Sequence, residues 1–116
     1  MADSLAIVAG FLFDPSDQIC ELAALTLGES RLEEAFDHLR NCWEQTRNVE
    51  LRRTLLLAIG MLRQDKAIDF LISLVAQGKD IDAKDAIAAL AIYREDRKLW
   101  QRVDRASEQR ANQLGL

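Results

Sequence analysis

The feature that most restricts this chain is an internal repeat. Displacing the sequence by 32 residues sets Leu25, Gly28, Arg31, Ala35, Asp37, Leu39 and Gln45 on Leu57, Gly60, Arg63, Ala67, Asp69, Leu71 and Gln77. These are seven identities among the 29 pairs beginning at Asp17, where average residue usage gives roughly two by chance. Apolar character also agrees at Ile19/Leu51, Ala23/Leu55, Leu27/Ile59, Phe36/Ile68, Cys42/Leu74 and Trp43/Val75. A further 32 residues on, Ala83, Ile87, Ala89, Leu99, Trp100, Val103 and Ala106 keep the register, although identity has decayed to little beyond Lys66/Lys98. In the other direction Ile7 and Phe11 fall on Leu39 and Trp43, so the first segment reads as the second half of a truncated unit. A unit of this length cannot bury both of its apolar faces alone, and units therefore stack.

Within each unit, apolar residues recur at spacings of three and four, the helical signature. One proline and five glycines in 116 residues are too few turn formers for a sandwich or barrel. The pattern predicts seven helices over about 3–13, 15–27, 30–46, 48–62, 65–77, 80–93 and 96–111. Asp14 is the expected cap of the second, with Pro15 in its first turn. Ser30-Arg31-Leu32-Glu33 reads as a capping box for the third, Asn48 as the cap of the fourth, and Gly78 as the terminator of the fifth. Short links make this a stack of antiparallel hairpins. The expected organisation is one all-α domain over 1–116: a half repeat at 1–13, repeats near 14–46, 47–78 and 79–111, and a polar tail at 112–116 that frays. Gly28 and Gly60, with Ala23, Ala24, Ala58, Ala86, Ala88 and Ala89, allow close helix approach.

Leu51-Arg52 with Ala58-Ile59-Gly60, then Asp65-Lys66-Ala67-Ile68 with Leu71 and Leu74, resembles a short HEAT-type repeat, including the variety named after phycobilisome lyases. The first unit departs from that pattern at Cys20, where the arginine would stand. The third has Ala83-Lys84 and, in place of the glycine, Ala91-Ile92. The resemblance implies a right-handed α-solenoid of about three and a half repeats that acts as a protein-interaction scaffold. It also admits an enzyme accessory role of the bilin-lyase type.

Chemistry is sparse. His38 and Cys42 stand four apart on the third helix, and Cys20 on the preceding helix is the third group that zinc would need. However, Cys42 aligns with Leu74 and Ala106, a buried apolar position, and His38 with Phe70 and Arg102. Glu33/Glu34 and Asp80/Asp82 lie at helix starts, where the helix dipole accounts for them. The glycines are scattered, with no phosphate-binding loop. We therefore expect no catalytic, cofactor or metal residues, and no enzyme.

Fifteen Lys+Arg against nineteen Asp+Glu give a net charge of −4. The stretch from Arg94 onward carries +2 and the first 93 residues −6. Nucleic-acid binding, which needs a basic surplus, is left to that mildly basic last helix, where Arg102 and Arg105 alternate with Asp104 and Glu108. Two cysteines, no basic residue before the first apolar run and no stretch near the ~20 residues of a membrane span lead us to expect a soluble, cytoplasmic protein.

The partner-binding candidates follow from leftover surface. Leu5, Ile7, Val8, Phe11, Leu12 and Phe13 leave the first helix without a polar face, so Phe11 and Phe13 are expected to meet another protein or a second copy in a homodimer. On the second helices of the hairpins, Asp37, Arg40, Asn41, Glu44, Asp69, Ser73, Gln101, Arg102 and Asp104 are polar candidates. Phe70 and Ile72 add apolar surface where the other units carry His38/Arg102 and Arg40/Asp104. Trp43 and Trp100 are expected in the core.

Overall fold

The computed structural model describes residues 2–115, with side chains from Ser4 onward. Its helices are α1 (Ala2–Gly10), prolonged by a 3₁₀ turn Phe11–Phe13; α2 (Asp17–Ser30); α3 (Ala35–Gln45); α4 (Val49–Met61); α5 (Asp65–Gln77); α6 (Asp80–Leu90), prolonged by a 3₁₀ turn Ala91–Tyr93; and α7 (Arg97–Gln113). Among the described residues there are no strands. The helices form two layers in a slab of 45 × 27 × 18 Å, with α2, α4 and α6 side by side in one and α1, α3, α5 and α7 in the other. The seven expected helices are all present, and the fold is an all-α solenoid.

Glycine sets the spacing of the first layer. A Cβ on Gly28 would stand 2.7 Å from the Ala58 carbonyl oxygen, and one on Gly60 would stand 2.8 Å from that of Ala89. The layer closes to this distance only because those positions have no side chain. At the same repeat position the third unit has Ile92, half exposed in the 3₁₀ turn after α6. Between the layers lie Leu27, Leu39, Leu55, Leu56, Ile59, Leu62, Leu71 and Leu90, all essentially inaccessible. Each contributes about 1.5–3 kcal/mol through burial.

The second layer is wedged by aromatic rings. Phe70 of α5 meets Phe36 and Trp43 of α3 edge-on, with centroids 5.7 and 5.5 Å apart. Trp43 is buried as expected, and Trp100 on the last helix is partly buried and packs against the same core.

Two capping expectations need correction. Ser16, not Asp14, caps α2, accepting from Ile19 N; the Asp14 carboxylate accepts from Ser16 N and shapes the approach instead. Ser30 does not open α3: it is the last residue of α2, its hydroxyl donating to the Leu27 carbonyl and accepting from Leu32 N. The chain turns at Arg31 in the left-handed region (φ 55°), so α3 begins only at Ala35. Arg63, its repeat partner, adopts the same conformation (φ 59°). Asn48 and Asp96 cap α4 and α7 through side-chain oxygens, and Gly78 ends α5.

Most polar links between distant residues join positions about one repeat apart. Arg52 bonds Asp82, and Arg53 bonds Asp85. Gln64 donates to the Leu32 carbonyl, Tyr93 to that of Gly60, and Arg110 to that of Gly78. Arg102 pairs with Asp69, Arg110 with Asp80, and Lys66 with Glu33. Arg52 is the busiest of these groups. Its guanidinium donates to the Trp43 and Thr46 carbonyls at the end of α3, binds Asp82 of α6, and lies 4.2 Å over the Trp43 ring.

Candidate protein-interaction surface

The groups that could carry chemistry are either buried or dispersed. Cys20 and Cys42 are buried, and both thiols hold the backbone after α1: Cys20 Sγ donates to the Asp14 carbonyl at 3.0 Å, and Cys42 Sγ to that of Leu12 at 3.7 Å. Burial, and secondarily the nearby Cys20, pushes the Cys42 thiol up to about 11, so it stays protonated near neutrality. The reactive species would be the thiolate. His38 points to solvent on the exposed side of α3. Among the described residues no group of three His, Cys, Asp or Glu could hold a metal ion.

The polar candidates on α3, α5 and α7 are largely engaged with one another. Arg40 Nε lies 2.9 Å from Glu44 on the next turn, and its guanidinium covers the Phe70 ring at 4.9 Å. Asp69 accepts from Arg102 at 2.7 Å, tying α5 to α7. The Ser73 hydroxyl donates to the Phe70 carbonyl, and Gln45 donates to Asn41. Phe70 and Ile72 are half-buried, and the ring of Phe70 serves the wedge between α3 and α5. Asp37, Gln101 and Asp104 remain exposed.

The other surface is apolar and open. In the α1 segment Leu5, Ala9 and Leu12 turn into the core, whereas Ile7 is 65% exposed, Phe11 48% and Phe13 56%. On α2, Ile19 is 41% exposed and Leu22 66%. Val8, Phe11, Ile19, Leu22, Ala23 and Thr26 together line an open groove between the first helix and the second. Its origin is geometric: α4 is covered by α2, and α6 by α4, but among the described residues no helix covers the outer side of α2.

A family model described as HEAT repeats matches residues 4–91. The chain belongs to the HEAT repeat family. No curated protein and no solved structure matches it. HEAT repeats in general mediate protein–protein interaction. In this HEAT repeat protein no helix among the described residues is long and apolar enough to cross a membrane.

Of the two expected aromatic residues, Phe11 lines this groove, whereas Phe13 stands exposed beside Leu12, Asp14 and Asp17 instead; Ile19, Leu22 and Thr26 of α2, which the sequence reading did not include, complete the groove. A usable signal was present. Subtracting 32 from Leu51 and Ala58, which are buried on α4 where Ala58 meets α2 at Gly28, lands on Ile19 and Thr26.

Proposed function

We propose that this HEAT repeat protein is a non-catalytic scaffold or adaptor that engages another protein through its α1–α2 end. The observation that carries this reading is the set of large apolar side chains, Ile7, Phe11, Ile19 and Leu22, standing 41–66% exposed around one groove. A contiguous apolar patch of this kind is the mark of an interaction site. The exposed polar face of α3, α5 and α7, with Asp37, Arg40, Glu44, Asp69 and Arg102 beside half-buried Phe70 and Ile72, is a second contact surface in the same proposal. A cytoplasmic setting fits the two unpaired, buried thiols.

A homodimer through α1 is the competing occupant of the same end. The test is affinity capture with the full chain as bait, comparing wild type with Leu22→Lys. A partner held by the wild type and released by the variant supports the reading. A recovered set unchanged by both Leu22→Lys and Phe11→Glu refutes it.

A further inference from the structure

Resting on the second contact surface of that reading, the α5–α7 interval differs from the α3–α5 interval in being hollow. Between α3 and α5 the space is filled. The Phe70 ring is wedged against Phe36 and Trp43, and Arg40 lies over it while pairing with Glu44 on the next turn. One repeat on, the counterparts of Arg40, Glu44 and Phe70 are Ile72, Ala76 and Arg102. Shorter side chains stand on α5, and an arginine that reaches across to Asp69 replaces the ring. What remains is an open groove of about 420 Å³. Buried Ala76 and Ala106 and half-buried Ile72 give it an apolar floor.

The walls carry hydrogen-bonding groups that the fold leaves unused. Glutamine stands at one repeat position in all three units, as Gln45, Gln77 and Gln109. Gln45 donates to Asn41. The side-chain amides of Gln77 on α5 and Gln109 on α7 are exposed, line the groove from opposite walls, and bond no other group among the described residues. A primary amide offers both donors and an acceptor, the complement of the C=O and N–H of a peptide unit.

Charge points the same way. Arg105 lines the groove and is in no ion pair among the described residues. The lining holds Arg102 and Arg105 against Asp69 alone, and Asp69 is already matched by Arg102 at 2.7 Å. The two acids of α7 do not line the groove. At roughly 100° per residue, Asp104 and Glu108 lie about 160° and about 120° around the helix from Arg102.

From Asp69 to Gln77 the α5 wall is about 12 Å long at 1.5 Å per residue. That is room for roughly three or four residues of extended chain. A helical partner would leave both glutamines idle, because its own ladder satisfies its backbone. We infer that the α5–α7 groove binds an extended acidic segment of another protein, with a backbone amide held between Gln77 and Gln109 and an Asp or Glu carboxylate on Arg105.

The test titrates the isotopically labelled full chain with two end-blocked synthetic peptides of about eight residues, long enough to overhang the groove at both ends. Both alternate valine with a charged residue, glutamate in one and lysine in the other. The glutamate peptide is expected to move the side-chain amide NMR signals of Gln77 and Gln109, assigned from Gln77→Ala and Gln109→Ala. It should bind at least about tenfold tighter than the lysine peptide, the worth of one charge-assisted contact. Arg105→Glu, at an exposed site, should erase that preference with an unchanged melting curve. The two glutamine variants should each weaken binding severalfold, while Gln45→Ala should leave it intact. Equal binding of both peptides overturns the carboxylate on Arg105. Binding that moves neither glutamine signal overturns the grip on the backbone. No shift at about 5 mM peptide, weaker than any ordinary contact between proteins, overturns the whole proposal. If affinity capture is still lost in Leu22→Lys, such a null result removes this groove alone and leaves the scaffold reading standing.

Discussion

Arg52→Ala tests the claim that one guanidinium joins three helices. In the wild type it donates to two carbonyls at the end of α3 and to Asp82 of α6, and it stacks on Trp43. The alanine variant strands the Asp82 carboxylate, whose side chain is only 7% exposed, while the arginine side chain itself is 22% exposed. Breaking a fully buried pair costs about 3–5 kcal/mol, and hydrogen bonds involving a charged group are worth about 1.5–3 kcal/mol each. Water reaches part of the guanidinium and lowers both, so the expected loss is about 3 kcal/mol. With an unfolding entropy near 2.1 cal/mol/K per residue, the melting temperature should fall by about 12 °C. Urea unfolding gives the free energy, and a double-mutant cycle gives the pair. In an Asp82→Asn background the Arg52→Ala cost should drop by about 1–2 kcal/mol, because the stranded charge is gone. Arg52→Lys should recover less than half of the loss, since an ammonium cannot reach the carbonyls and the carboxylate in one plane. A loss below about 1 kcal/mol, or an equal cost in both backgrounds, would refute the reasoning.

Other predictions follow from single contacts. Gly28→Ala and Gly60→Ala should each lower stability by about 1–3 kcal/mol through overpacking, whereas Gly10→Ala, whose Cβ meets nothing within 4 Å, should raise it by about 0.5–1 kcal/mol; urea midpoints decide both. Arg31→Gly should stabilise by about 0.5–1 kcal/mol by relieving the left-handed backbone, and Arg63→Gly should gain less because Arg63 also covers the Tyr93 ring at 5.3 Å. The Cys42 thiol, pushed up from 9.0 to about 11 in the folded chain, binds its proton more tightly there than when unfolded. Its contribution is therefore whole below about pH 9 and is lost as pH rises toward about 11. Cys20 and Tyr93, also pushed up by burial, act in the same direction. Denaturant midpoints should fall across that window, and less steeply in Cys42→Ala.

The layer arrangement was legible because it depends on features that repeat. The Gly28/Gly60 pair marks close approach at both of its positions, and the absence of that glycine at Ile92 marks the end of the pattern. Asn48 was legible as a cap because its oxygen bonds its immediate neighbours. Ser30 was not, because whether it ends one helix or begins the next depends on Arg31 taking a conformation that arginine seldom adopts. The Arg52 junction and the Phe70 wedge lay outside local reasoning for a related cause, since both depend on partners brought together by stacking. Half of the groove was visible in the apolar helix at the start. The other half, on α2, required asking which repeat position lacked a neighbour.

The regular spacing of the polar links bears on how the chain assembles and how it can change. When each link spans about one unit, every loop to be closed during folding has nearly the same length and the same entropic cost. No seam must wait for another, and nucleation can begin at any of them. The same regularity separates two kinds of insertion. Duplicating residues 47–78 as a block regenerates compatible seams on both sides, whereas one residue added within that block shifts Arg53 from Asp85 and Gly60 from Ala89 together. Length can thus vary by whole units at little cost, while phase within a unit is held fixed.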